Sequence, residues 1–107
     1  MTVLILDKNL IWSARLQKAA ETLGHLAVIG EANMDADVAI LPLRPGCADT
    51  VYDLHARGIK VVGHAGHKEK DLLYMGKTAG CDAVVTNSEL TFKLDQVLAG
   101  LFPASKS

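Results

Sequence analysis

Val3-Leu4-Ile5-Leu6-Asp7-Lys8-Asn9 is a short run of apolar residues that ends abruptly in polar ones. A continuous apolar run of this length is typical of a strand buried on both faces, as in a parallel sheet. Residues 10–23 instead carry apolar side chains at a helical spacing, and Gly24 stands where a helix would end. A buried strand followed by an amphipathic helix is the unit from which parallel α/β sheets are built.

The same alternation continues along the rest of the chain. Further strands are predicted at residues 26–29, 38–41, 59–62 and 83–85, and further helices at about residues 48–56, 68–78 and 88–101, with Ser88 as the cap of the last helix. Because crossovers between parallel strands are right-handed, we predict a three-layer, doubly wound α/β fold with a five-stranded parallel sheet of the flavodoxin type. We expect residues 1–102 to form this domain and residues 103–107 to be a disordered tail.

The segment between the second and third strands is unusually short. Only residues 30–37 remain there, and a crossover helix with its turns needs about a dozen residues. A nearly extended segment of this length reaches at most about 26 Å, which is enough to recross the sheet. The helix at this crossover is therefore predicted to be reduced or missing, unless the second strand pairs differently.

Composition and charge exclude several classes of protein. The chain has 107 residues, of which 50% are hydrophobic, and a net charge of −1, with its 11 Lys and Arg residues scattered rather than clustered. We therefore expect no nucleic-acid partner. No apolar run approaches the roughly 20 residues of a membrane span, and no export signal is recognisable. We expect a cytoplasmic protein in which Cys47 and Cys81 are reduced thiols.

In four segments, the residues at or beside a predicted strand are specific enough to compare with known proteins. Residues 3–7 are an apolar run followed by an aspartate. Residues 37–46 contain an apolar run followed by a loop with proline and glycine. Residues 60–65 end in His-Ala, and residues 79–87 join Ala-Gly-Cys-Asp to a strand ending in Thr-Asn. Together these segments resemble the receiver domains of bacterial response regulators over nearly the whole chain.

The departures from that family fall on its phosphorylation site. Receiver domains use an aspartate to accept a phosphoryl group and further carboxylates to hold Mg²⁺. The acceptor position is Pro42 here, the second acidic position is Lys8, the hydroxyl position is His64 and the lysine position is Asn87. Only Asp7 keeps its residue type, and one carboxylate beside an ammonium group is a poor Mg²⁺ site. The resemblance therefore implies a degenerate receiver without phosphotransfer activity.

The carboxyl ends of the strands are where open α/β sheets bind ligands. A small anion or nucleotide at this edge would meet the candidate ligand-binding residues Lys8, Arg44, His64, His67 and Asn87. His64 and His67 could share a metal ion, but the sequence offers no further motif with ligand spacing. We therefore predict no metal and no cofactor, and we interpret both histidines as polar residues of the loop after the fourth strand.

Aromatic residues suggest where partners could bind. Trp12, at the start of the first helix, either packs between helix and sheet or, if exposed, anchors a contact. In receiver domains, the fourth helix, fifth strand and fifth helix form the usual partner surface. The resemblance therefore places an interface at Leu73, Tyr74, Lys77, Glu89, Phe92 and Lys93.

The function that we predict is a phosphorylation-independent protein–protein interaction module in bacterial signalling, which is not an enzyme and acts by binding a protein partner or by forming a homodimer. The alternative is a small-ligand sensor that binds an anion or nucleotide at the carboxyl edge of the sheet. A histidine-dependent enzyme has less support, because the sequence places no nucleophile and base together.

Overall fold

The structure is a computed structural model that describes residues 1–102, so the predicted tail lies outside the described residues. Helices and strands alternate as β1 (Thr2–Ile5), α1 (Leu10–Thr22), β2 (Leu26–Ile29), β3 (Val38–Pro42), α2 (Cys47–Ala56), β4 (Lys60–Ala65), α3 (Lys70–Thr78), β5 (Ala83–Thr86), α4 (Asn87–Phe92) and α5 (Leu94–Leu101). Over residues 1–102, no helix is both long enough and apolar enough to cross a membrane.

The five strands form one parallel sheet in the order β2-β1-β3-β4-β5. This confirms the predicted doubly wound α/β fold. Side chains alternate across β1, so that Val3 and Ile5 pack with α1, α4 and α5, whereas Leu4 packs on the opposite face with α2. The sheet is thus covered on both faces, which explains why its central strands are continuous apolar runs.

Residues 30–37 contain turns but neither helix nor strand, which confirms the prediction of a missing crossover helix. The guanidinium of Arg57, at the end of α2, replaces the internal hydrogen bonds that a helix would have supplied. It donates to the carbonyl oxygens of Ala32, Asn33 and Met34, the last at 3.1 Å. Backbone hydrogen bonds from Gly30 to Ile5 and from Asp37 to Thr2 hold the two ends of the segment on β1, and Arg57 holds its middle.

The fourth strand is longer than predicted. β4 extends to Ala65 rather than ending at Val62, because Pro42 of β3 pairs with His64 and Thr86 of β5 pairs with Ala65. The following helix correspondingly begins at Lys70 rather than near residue 68. The interpretation of His64 as a loop residue is therefore wrong, since it lies within a strand.

The predicted final helix is two helices, and its cap is Thr86 rather than Ser88. The Thr86 hydroxyl accepts the Glu89 backbone N–H at 3.2 Å, and the Glu89 carboxylate accepts the Thr86 N–H at 2.9 Å. This reciprocal pair is a capping box, which fixes the start of α4 directly at the end of β5. The helix then breaks at Lys93, whose φ and ψ of −130° and 33° are not helical.

Candidate functional site

Four side chains meet at the carboxyl edge of the sheet and form what we call the edge cluster, namely Asp7, Trp12, His64 and Asn87. Asp7 follows β1, Trp12 lies in the first turn of α1, His64 belongs to β4 and Asn87 begins α4. All four line a cavity of about 410 Å³. Parallel strands end at the same edge of a sheet, so the topology itself brings these residues together.

His64 is the centre of the edge cluster. The residue is only 5% exposed, and its Nδ1 lies 2.8 Å from Oδ1 of Asn87. Because an amide oxygen only accepts hydrogen bonds, Nδ1 carries the ring proton and Nε2 carries a lone pair. Nε2 has no hydrogen-bond partner, and it lies 3.7 Å from Oδ2 of Asp7.

Trp12 covers the imidazole ring of His64. The two ring centroids are 4.5 Å apart, the ring planes are inclined by 29°, and the indole is half-buried against the core. The position of the indole follows from the start of α1, where Oδ1 of Asn9 accepts the Trp12 backbone N–H at 3.1 Å. Of the two alternatives for Trp12, the structure shows the one in which it packs between helix and sheet.

Burial decides the protonation state of His64. Removal from water is the largest influence and lowers the pKa of the imidazole, because a charged ring is poorly solvated there. The hydrogen bond to Asn87 and the charge of Asp7 raise this pKa, whereas the charge of Arg44 lowers it. The net shift is downward, so that His64 is neutral at pH 7.

Asp7 is held in place on two sides. Its side chain is 10% exposed, and Oδ1 accepts the Asn9 backbone N–H at 2.9 Å. The sequence analysis missed Ser13, whose buried hydroxyl donates to the Asp7 carbonyl at 2.9 Å. Ser13 lies three residues before Leu16, which lies four before Ala20, and this helical spacing could have predicted that Ser13 shares their buried face.

Pro42 and Lys8, which the resemblance matches to acidic positions of receiver domains, carry no carboxylate at this edge. Pro42 ends β3 as a half-buried ring, and the ammonium of Lys8 is exposed. Within residues 1–102, no group of three or more His, Cys, Asp or Glu side chains is arranged to hold a metal ion. Two stacked rings, those of Trp12 and His64, instead form part of the wall of the cavity at this edge.

The predicted ligand-binding residues do not converge on one cavity. Lys8 lines a second cavity of about 570 Å³ between β1, β2 and β3, while His64 and Asn87 line the smaller one. Arg44 lies between the two and lines both, and the exposed His67 lines neither. The larger cavity lies beside residues 30–32, at the start of the segment that replaces the crossover helix.

The predicted interface residues lie on α3, on α4 and at the residue that follows α4. Tyr74 and Phe92 are 72% and 82% exposed, which is unusual for aromatic side chains. Leu73 instead packs partly into the core beneath α3. Lys77, Glu89 and Lys93 are exposed, and Glu89 is also occupied in the capping box.

No protein-family model and no curated protein matches the sequence. Solved structures do match. A response regulator from Thermotoga maritima superimposes with a TM-score of 0.72 at 15% identity, over 92% of this chain and 97% of that one. The chain has the fold of response-regulator receiver domains.

Two further structures extend the likeness to the receiver fold. A response regulator receiver protein from Burkholderia phymatum gives a TM-score of 0.71 at 15% identity, over 99% of this chain and 98% of the other. An orphan response regulator of H. pylori gives 0.75 at 15% identity, over 94% and 96% of the two chains. At these identities, the comparison shows the receiver fold, and the function has to be argued from the edge cluster and the surface.

Proposed function

We propose that this chain is a receiver-like protein–protein interaction module of bacterial signalling whose binding does not depend on phosphorylation. The observation that carries the proposal is the edge cluster. The receiver fold lacks only the helix between β2 and β3, and His64 and Trp12 stack at the edge where the resemblance places a hydroxyl of the phosphorylation site.

Phosphoryl transfer needs a nucleophile in line with the phosphorus atom and cations that neutralise the developing charge. Pro42 has no nucleophilic group, and the nearest carboxylate, Asp7, is turned into the Asn9 turn and toward His64. The two carboxylates that line the cavity at this edge, Asp7 and Glu69, already accept the backbone N–H groups of Asn9 and Gly66, so the cavity does not present the free oxygen ligands that Mg²⁺ prefers. The edge is therefore suited to a fixed structure rather than to a covalent switch.

The surface that we assign to the partner is the aromatic face, which we define by Tyr74 of α3 and Phe92 of α4. Both helices pack on β5, the edge strand of the sheet, α3 from one face of the sheet and α4 from the other, so that the two exposed rings flank this edge. Exposed aromatic side chains are the common anchors of protein interfaces. Lys77, Glu89 and Lys93 supply a charged rim around them. A second copy of the chain is the partner that we expect.

Replacing both anchors should abolish this association. We expect Tyr74→Ser combined with Phe92→Ser to convert a concentration-dependent dimer into a monomer, as measured by light scattering over a dilution series. Because both side chains are largely exposed, the free energy of unfolding should change by no more than about 0.5 kcal/mol.

Tyr52→Ser is the matched control, since Tyr52 is 74% exposed on α2, a different helix. This variant should associate as the original chain does. A double variant that remains dimeric, or an original chain that is monomeric at every concentration, would contradict the assignment of the aromatic face to self-association.

The division of the candidate ligand residues between two cavities makes the small-ligand sensor the weaker proposal. Lys8 lines only the larger cavity, His64 and Asn87 line only the smaller one, and the exposed His67 lines neither, so these candidates do not form one enclosed site. The interaction module needs no such convergence, because it depends on exposed side chains that the fold already presents.

A further inference from the structure

The lone pair on Nε2 of His64 is the one buried side-chain group in residues 1–102 that lacks a hydrogen-bond partner. It faces Oδ2 of Asp7 at 3.7 Å, so that two acceptors oppose each other across a gap too wide for a direct bond. Such an arrangement is unfavourable unless something that donates or carries positive charge comes between the two atoms.

The geometry limits what that species can be. Nε2 exposes almost no surface to a water-sized molecule, and the indole of Trp12 covers the face of its ring, so in this arrangement no molecule as large as water contacts the lone pair. A structural transition metal needs about four protein ligands, and Asp7 and His64 supply two. A proton needs no such space, and it would turn Nε2 from an acceptor into a donor that faces a carboxylate.

We propose that Asp7 and His64 form a proton-operated latch, in which protonation of Nε2 closes the gap to Oδ2 of Asp7 and ties the β1–α1 loop to β4. The proton comes from solvent, and the ring becomes an imidazolium whose Nδ1–H still donates to Asn87. The indole face of Trp12 favours the cation as well.

The charged and polar groups around His64 come from four parts of the chain. Asp7 comes from the loop after β1 and Arg44 from the loop after β3, while Glu69 precedes α3 and Asn87 begins α4. Burial lowers the pKa of His64 most, Asn87 and Asp7 raise it, and Arg44 lowers it. The latch therefore closes at a pH below about 6.5, the value of a free histidine.

Closing the latch acts on the start of α1. Oδ1 of Asp7 holds the Asn9 N–H, Asn9 in turn caps α1, and the Asp7 carbonyl holds the Ser13 hydroxyl. Movement of the Asp7 carboxylate toward His64 is thereby passed to the first turn of α1. Lys8, in the loop before α1, and Leu10, its first residue, line the larger cavity.

Trp12 is the only tryptophan of the chain and reports directly on the latch. A protonated imidazole in contact with an indole quenches its fluorescence, so we expect emission to fall on acidification, with a midpoint below about 6.5. His64→Gln should abolish this transition. Asp7→Asn should move the midpoint to lower pH, Arg44→Gln should move it to higher pH, and His25→Gln, a histidine outside the edge cluster, should leave it unchanged.

The pH dependence of the free energy of unfolding tests the direction of the His64 pKa shift independently of fluorescence. Because the folded pKa of His64 lies below the unfolded one, the unfolded chain takes up this proton first. His64 should therefore reduce stability progressively as the pH falls from about 6.5 to the folded pKa, and His64→Gln should lack that decline. Far-UV circular dichroism at each pH separates closure of the latch from unfolding.

Nitrogen chemical shifts of the imidazole in the original chain test the proposal even where a variant fails to fold. We expect the Nδ1–H form at pH 7 and uptake of a proton at Nε2 below about pH 6.5 in folded protein. An Nε2–H form at pH 7, a midpoint at or above the ordinary value, or a midpoint that Asp7→Asn leaves unchanged would overturn the latch.

Discussion

Replacing Trp12 with alanine is expected to lower the free energy of unfolding by about 3 kcal/mol, the low end of the range for buried aromatic side chains. The indole is half-buried, packs against the core cluster that contains Leu16 and Ala20, and covers the ring of His64. Its removal leaves a cavity and admits water to a buried imidazole. Urea unfolding followed by far-UV circular dichroism measures the change without relying on tryptophan emission.

Trp12→Phe is the matched control for this variant. A phenyl ring keeps an aromatic face over His64, and it fills much of the same space, so that the loss should be clearly smaller than for alanine. If Trp12→Ala costs less than about 0.5 kcal/mol, which is the range of an ordinary surface substitution, the packing of the edge cluster described above is wrong.

The second large effect on stability is expected at Arg57, which donates hydrogen bonds to the short segment between β2 and β3. Arg57→Ala should lower the free energy of unfolding by about 2 kcal/mol, since hydrogen bonds from a charged donor each contribute roughly 1.5–3 kcal/mol and these are partly exposed. Its guanidinium spans three successive carbonyl groups, from Ala32 to Met34. Amide exchange of residues 30–37 should accelerate in the variant.

Arg57→Lys and Arg15→Ala are the matched controls for this prediction. Lysine keeps the charge but lacks the planar guanidinium that donates to several carbonyl groups at once, so an intermediate loss of stability is expected. Arg15 is an exposed residue of α1, and its replacement should have almost no effect on stability. Equal losses for Arg57→Ala and Arg15→Ala would show that the crossover does not depend on these hydrogen bonds.

The fold was predictable from sequence because its signals are local. Apolar runs mark the strands, and the mere length of residues 30–37 excludes a crossover helix, which the structure bears out. The extension of β4 was not predictable, because His64 is polar and interrupts the apolar pattern. Its strand conformation is imposed by the neighbouring strands, through pairing with Pro42 and Val85. The break at Lys93 likewise has no glycine or proline to signal it.

The edge cluster was predictable only in part. The prediction that Asp7, His64 and Asn87 lie at one edge follows from the parallel topology, because parallel strands end at the same edge of the sheet. The stacking of Trp12 on His64 depends on how α1 crosses the sheet and on the rotamers of both residues, which no spacing in the sequence encodes.

The most direct test of the central claim is the intact mass of the purified chain after incubation with acetyl phosphate and Mg²⁺. We expect an unchanged mass, because Pro42, at the position that we propose for the acceptor, carries no nucleophile. A gain of one phosphoryl group that requires Mg²⁺ and disappears in Asp7→Asn would contradict it, since the edge would then retain the chemistry of an active receiver.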